Sequence, residues 1–407
     1  MPASRRFTEV AAALAAALFL VSWGLLHTGW YDENEIVDIP VYEQYGNAIE
    51  SGAVPYRDIR PEYPPGALPA FALPALLSDD QEGFRDAFEW LMAACGVAAV
   101  LLAAIALAGL RASRARTAAA LALVAGFPLL LGSVVLTRFD LYPAALVAGA
   151  LAALVHRRDR LGFAVLGAAV VVKLYPAVLV PLAVAYVWRR RGRREALVCL
   201  GVAAGVIALA FLPFLLVAPD GVAHSIGRQL SRPLQIESLG AAFYLAAHHL
   251  LGLDIEVRSG HGSQNLHAAG TGIAAVLLSL VQLAALAWIW LRRPGSAEEL
   301  VRWSAAALVA FVALGKVVSP QFLIWLVPVV PLVAGLRGLR ASALLAGGLV
   351  LTQLWFPSRY WDLARELDPL PSVLVLARDL VLVALLVVLL KGSSRDELRS
   401  SGHLRRL

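Results

Sequence analysis

Four short clusters place ionisable side chains where apolar sequence breaks off: Glu62-Tyr63-Pro64-Pro65, Arg138-Phe139-Asp140, Lys173-Leu174-Tyr175-Pro176 and Gly315-Lys316-Val317-Val318-Ser319-Pro320-Gln321. A fifth concentration is the acidic stretch Tyr31-Asp32-Glu33-Asn34-Glu35, which runs on through Asp38 to Tyr42. Ionisable groups inside long apolar sequence cost about 2.5–3.5 kcal/mol each to insert, so each is a functional candidate by default. Three of the breaks carry a cation, Arg138, Lys173 or Lys316, and the chain has one further lysine, Lys391. Such a set suits an anion, and phosphate is the natural anion for a cavity open to lipid. The competing readings are a turn salt bridge for Arg138 and Asp140, and snorkelling to the interface for Lys173 and Lys316. Asp32, Glu33 and Glu35 read as solvated loop carboxylates. Asp38 differs, because it stands where the acidic loop meets an amphipathic stretch, Val41 to Ser51, between Val37 and Ile39. A carboxylate there can point into a cavity and act as a general base.

The elements that must position these groups are membrane helices. The 407 residues are 59% hydrophobic with a mean hydropathy of +0.72, whereas a soluble domain is usually about 45–50% apolar. The apolar residues fall in runs close to the ~20 residues that cross hydrocarbon as a helix. The alternating ~10-residue pattern of a membrane barrel is absent. Runs lie at 8–27, 89–110, 117–136, 141–155, 161–172, 175–188, 195–217, 268–291, 300–315, 321–336, 341–356 and 372–390. The expected fold class is an all-α polytopic membrane protein of about twelve transmembrane helices. It is read as one domain, 1–407, with a long first extracytoplasmic loop, 30–88, that carries amphipathic helices.

Charge sets the expected topology. Most of the 35 Lys and Arg lie in alternate connections: Arg111/Arg114/Arg116, Arg157/Arg158/Arg160, Arg189–Arg194, Arg292/Arg293, Arg337/Arg340, and a basic tail over 391–407. By the positive-inside rule these are cytoplasmic, as are both termini. The first run follows Arg5 and Arg6 without a small-residue cleavage site, and is read as a retained helix. The acidic loop and the polar breaks then share the outer face of a plasma membrane. Several flanking runs are too short to span about 30 Å, so their polar tips sit below the surface around a shared cavity. Pro64–Leu77 is short and proline-punctuated, and reads as a helix on or dipping into the outer leaflet; Ser238–Leu253 reads similarly. The +6 net charge reports this topology and no nucleic-acid partner, since no basic stripe with stacking aromatics occurs. Cys95 and Cys199 sit inside apolar runs and form no CxxC or Cys/His cluster. No P-loop, dinucleotide fingerprint or HExxH is present. No metal or cofactor is expected. An enzyme of this kind must receive its activated substrate through the membrane.

Asp38-Ile39-Pro40-Val41-Tyr42, Tyr45-Gly46, Pro55-Tyr56-Arg57-Asp58 and Glu62-Tyr63-Pro64-Pro65 together resemble the first extracytoplasmic loop of glycosyltransferase family 87. The Arg138–Asp140, Lys173–Pro176 and Lys316–Gln321 tips resemble that family's pattern in the same order. The resemblance implies a membrane glycosyltransferase of the C fold class. Members include polyprenyl-phosphate-mannose-dependent mannosyltransferases of bacterial envelope glycolipids. It implies a polyprenyl-phosphate sugar donor, a glycolipid or glycan acceptor, transfer with inversion, and Asp38 as the base for the acceptor hydroxyl. Tyr42, Glu62, Tyr63, Arg138, Asp140, Lys173, Tyr175, Lys316, Ser319 and Gln321 are the expected substrate-binding residues. Some members carry a histidine near Gln321; here Lys316 would supply that charge. The alternatives are an arabinofuranosyl donor, or a different class altogether: a lipid or glycan transporter, or a non-catalytic assembly protein. A transporter would place charge near the midplane and show internal repeats, whereas here the charges gather at one face.

Overall fold

A computed structural model describes residues 2–33 and 35–391. Residues 392–407 of the expected basic tail, and the side chains of Asp32 and Glu33, lie outside the described residues. The chain is a helical bundle. It begins with α1 (Arg5–Leu25), then a loop segment with α2 (Trp30–Glu33), α3 (Ile39–Glu50) and α4 (Pro69–Leu76). The bundle continues through α5 (Gln81–Gly109), α6 (Arg114–Leu131), α7 (Val134–Thr137), α8 (Leu141–Val155), α9 (Asp159–Val172), α10 (Val180–Arg191) and α11 (Arg193–Val217). A second insertion holds α12 (Pro219–Leu230), α13 (Leu239–Leu251) and an antiparallel hairpin of β1 (Glu256–Gly260) and β2 (Ser263–His267). The chain closes with α14 (Thr271–Trp290), α15 (Ala297–Ala313), α16 (Gly335–Gln353) and α17 (Pro369–Leu390). The all-α expectation holds for the bundle. The hairpin was not expected, because its residues alternate weakly and carry no Asn-Gly or Asp-Gly turn.

Among the described residues, six helices are long and apolar enough to cross a membrane by length and composition: α1, α5, α6, α11, α14 and α17. The protein is a multi-pass membrane protein. Helices α11 and α14 bury little of themselves and turn Leu209, Leu212, Leu216, Ile273, Leu277 and Leu280 outward. So broad an apolar face suits lipid and has no counterpart on a soluble monomer. Several helices begin at capping side chains that accept an orphan backbone N–H, among them Ser4, Asp80, Ser113, Ser238 and Ser296.

The run expected as a helix at 321–336 takes a different form. It is a pair of 3₁₀ segments, Pro320–Trp325 and Val330–Leu332, because Pro320, Pro328 and Pro331 remove N–H donors and block a continuous α-helix. It still runs from the tip, where Trp325 donates to Asp140, to the basic end, where the Leu332 carbonyl accepts from Arg116. Nearly all of it is buried in protein, the condition under which irregular backbone is tolerated at membrane depth.

The two ends of the bundle differ in chemistry. At one end the basic connections tie the helices together. Arg116 pairs with Glu298 at 2.7 Å and donates to the Leu332 carbonyl, Arg190 and Arg191 flank Asp159, Arg160 pairs with Glu195, and Arg302 and Arg337 hold the Lys391 carbonyl. The opposite end holds the acidic loop and all four polar tips. Helices α8 and α9 have 15 and 14 residues, about 22 Å of rise, short of the roughly 30 Å of a hydrocarbon core. The loop is held down by close backbone approach. A Cβ on Gly46 of α3 would stand 2.4 Å from the Phe71 carbonyl oxygen of α4, and one on Gly66 would stand 2.7 Å from the Val171 carbonyl carbon of α9. Helix α4 is too short to span and packs on α3 and α5 through buried Ala70, Phe71 and Ala75, with Leu73, Leu76 and Leu77 exposed. Helix α13 likewise buries Leu239, Ala242 and Leu245 and exposes Phe243, Leu250 and Leu251.

Candidate active site

Asp38 occupies the N-cap of α3 but does not cap it. Pro40 removes one of the N–H groups that an N-cap carboxylate normally accepts from. The carboxylate faces the bundle instead: its Oδ2 lies 3.2 Å from Arg138 Nε and 3.5 Å from the Tyr42 hydroxyl. Its side chain is 36% exposed, while that of Arg138 is 6% exposed. Burial first, then Tyr63 and Asp38, push the Tyr42 phenol well above its ordinary value. Tyr42 therefore stays protonated and donates to the carboxylate.

Arg138 leaves α7 in extended conformation. Arg138 is extended but Asp140 has already turned helical at the start of α8, so the two side chains part: Arg138 meets Asp38 and Asp140 meets Lys173. Phe139 joins Tyr42, Tyr63 and Phe71 in a group of edge-on rings. Asp140, 1% exposed, accepts from Lys173 Nζ at 2.7 Å and from Trp325 Nε1 at 2.5 Å. Lys173 ends α9 in extended conformation and sits 4.6 Å from the centre of the Phe139 ring and 5.2 Å from that of Trp325. Trp325 is stacked between Tyr175 and Phe322, each at 4.0 Å. Lys173 is thus an enclosed, paired cation and does not snorkel.

The third tip meets the insertion. Backbone of 234–236 pairs with the hairpin through Ile236 N to the Gln264 carbonyl and Leu266 N to the Leu234 carbonyl. Gln235 binds the tip on its other side. Its backbone N–H donates to the Lys316 carbonyl at 3.0 Å, and its Nε2 donates to Ser319 Oγ at 3.1 Å and to Glu237 Oε2 at 2.8 Å. Behind Glu237, fully buried Arg378 of α17 donates to the Glu237 carbonyl and pairs with Asp379 at 2.7 Å. Burial pushes the Glu237 carboxyl up to about 8, against the pull of Arg378, Arg232 and Arg138. Arg232 has a buried Nε without a hydrogen-bond partner. Lys316 is lowered by burial and then by the like charge of Arg232, so these two cations face a common region. The Tyr360 phenol is pushed up by burial and also feels Glu237, Arg138, Asp38 and Arg232.

Of the residues expected from sequence, Asp38, Tyr42, Tyr63, Arg138, Asp140, Lys173 and Tyr175 form one continuous cluster, while Lys316 and Ser319 meet Gln235 of the insertion. Glu62 stands apart, paired with Arg228 at 2.8 Å on the far side of Tyr63. Gln321 is half-buried and joins no described hydrogen bond of the cluster. Glu35, expected to be solvated, is 13% exposed and held by Arg85 at 2.8 Å, because Arg85 also bridges to buried Glu89 on α5. Sequence reasoning missed Arg232, Glu237, Trp325 and the Arg378–Asp379 pair. That pair had a visible signal, two charges inside the apolar run 372–390.

The sequence profile of glycosyltransferase family 87 matches residues 62–320, well over half of the chain. The chain belongs to glycosyltransferase family 87. As a family-87 member it is a membrane glycosyltransferase. The matched region holds Glu62, Tyr63, Arg138, Asp140, Lys173, Tyr175, Lys316 and Ser319, while Asp38, Tyr42 and Gln321 fall outside it. Among curated proteins none matches this family-87 chain. Among solved structures, ArnT from Cupriavidus metallidurans bound to undecaprenyl phosphate is similar with a TM-score of 0.49 and 16% sequence identity. The likeness covers 95% of this chain and 77% of that one.

Proposed function

We propose that this glycosyltransferase moves a hexose, mannose in the favoured reading, from a polyprenyl-phosphate donor to a lipid-linked or glycan acceptor, with inversion. The observation that carries the reading is the Asp38 carboxylate: it is released from helix capping, partly exposed, and oriented by Arg138 and Tyr42. The apolar surround suits a donor whose tail stays in lipid. Arg138, Lys316 and Arg232 suit its phosphate.

In this reading the acceptor oxygen attacks C1 of the donor sugar and gives its proton to Asp38. The bond from C1 to the phosphate oxygen breaks, and its electron pair leaves with the polyprenyl phosphate. Inversion follows from attack opposite the leaving group. Lys316 and Arg232 neutralise the charge that grows on the leaving oxygen. Lys173 works through Asp140: paired and stacked, it holds the Arg138-Phe139-Asp140 tip so that Arg138 keeps Asp38 in place. The site end of the bundle faces outward, with both termini in the cytoplasm, consistent with the basic character of the other end.

The test is incubation of membranes carrying the protein with radiolabelled polyprenyl-phosphate-mannose, followed by lipid extraction. Label passing into a new lipid or glycan supports the reading. Label passing only from decaprenyl-phosphate-arabinose would replace mannose with arabinofuranose. No transfer from either donor would overturn the donor class.

A further inference from the structure

Between α12 and the β1–β2 hairpin lies an open cavity of about 500 Å³, lined by His224, Gly227, Arg228, Ser231, Gly260 and His261. That is within the range of small-molecule sites, roughly 300–1,000 Å³. Four of the lining residues sit at i, i+3, i+4 and i+7, so they form one face along α12 and its C-cap. The helix is seated on its other side: Val222 and Ser225 are buried, and a Cβ on Gly221 would collide with the Tyr56 carbonyl oxygen at 1.9 Å. The far wall is the hairpin turn, where His261 and Gly262 both adopt left-handed φ, 54° and 68°. Such paired left-handed residues make a tight two-residue hairpin turn whose shape follows the strand twist.

The cavity connects to the catalytic cluster through Glu62. Arg228 pairs with Glu62, Gln229 Nε2 donates to the Glu62 carbonyl, and Glu62 Oε2 lies 3.2 Å from the Cβ position of Gly262. The next residue, Tyr63, packs against Tyr42, whose hydroxyl faces Asp38. Packed side chains thus lead from the cavity wall to Asp38. The cavity's chemistry is that of a hydroxyl binder. Arg228 and Glu62 cancel in charge and offer both donors and acceptors. Imidazoles, a serine hydroxyl and glycine backbone complete the wall. Arg228 is already paired with Glu62 at 2.8 Å, so it is not a bare cation awaiting a phosphate.

We propose that this cavity binds an uncharged saccharide: the sugar residues of the acceptor that precede the hydroxyl presented to Asp38. The assignment to the acceptor rests on the transferase reading; the saccharide site itself does not. The test uses Gly227→Leu in the full chain. A Cβ at Gly227 meets nothing within 4 Å and leucine favours helix over glycine, so the variant folds while its side chain fills the cavity. Saturation-transfer NMR on purified protein in nanodiscs, without donor, should show methyl α-mannotrioside bound to wild type and lost in Gly227→Leu. In transfer assays the same variant should raise the KM for an acceptor glycan by about tenfold or more, a loss of roughly 1.4 kcal/mol, with the donor KM unchanged. Trisaccharide binding that survives Gly227→Leu, or that inorganic phosphate displaces, would overturn the proposal. Trisaccharide binding lost in the variant, with no transfer from any polyprenyl-phosphate sugar to wild type, would uphold the saccharide site and defeat the transferase reading.

Discussion

Asp38→Asn and Asp140→Asn make the same chemical change about one tip apart, and should have opposite consequences. Asp38→Asn keeps shape but removes the acceptor for a full proton. Asp38 makes no capping bond and its carboxylate is 36% exposed, but Arg138 beside it is 6% exposed, so losing the charge costs some stability, less than at Asp140 because solvent reaches the Asp38 end of the pair. Turnover should fall by about 10²–10⁴-fold, the scale of a positioned acid or base, or roughly 3–5 kcal/mol of barrier. Asp140 is 1% exposed and its Lys173 partner 17%. Its neutralisation strands a buried cation, a change that typically costs 3–5 kcal/mol. Asp140→Asn should therefore lower the melting temperature in detergent clearly, and lose yield as well as activity. Melting curves and radiolabel transfer on the same two preparations separate the outcomes. An Asp38→Asn enzyme that melts like wild type yet keeps more than about a tenth of its turnover would refute Asp38 as the base.

Further outcomes test the remaining parts. Lys316→Met should raise the donor KM, since loss of a charge-assisted contact costs about 1.5–3 kcal/mol, with little change in melting temperature because Lys316 is only partly buried; normal donor affinity would remove it from the phosphate site. Glu237, raised by burial from 4.5 to about 8, keeps a proton in the folded chain that the unfolded chain has released. Its contribution to stability therefore falls as pH rises from about 4.5 to 8, and Glu237→Gln should flatten that slope in melting curves across the window. In a background lacking Cys95 and Cys199, Ser51→Cys should react with an impermeant maleimide on intact cells and Arg191→Cys should not; the reverse would invert the topology.

The membrane class, the basic end and the polar breaks were legible in sequence because each depends on local composition. An apolar run facing lipid has to satisfy its own backbone hydrogen bonds, which favours a helix, and the basic loops declare themselves by count. The tips could be named for the same reason: a charge such as Lys173 or Asp140 is out of place in its run before any fold is known. Their pairing was not legible. Whether Arg138 meets Asp140 in its own turn or Asp38 a hundred residues away depends on the extended backbone at the end of α7 and on where α3 is pinned by Gly46. The tertiary structure decided that Glu35 is an ion-paired strut, that Lys173 is enclosed, and that Pro320–Leu332 crosses without forming an α-helix. It also brought Arg232 and Glu237 to the site from the short connection between α12 and α13, whose residues carry no periodic signal. The physical reason is common to all of these: burial and charge pairing are set by which segments meet across the bundle, while hydropathy is a property each segment carries alone.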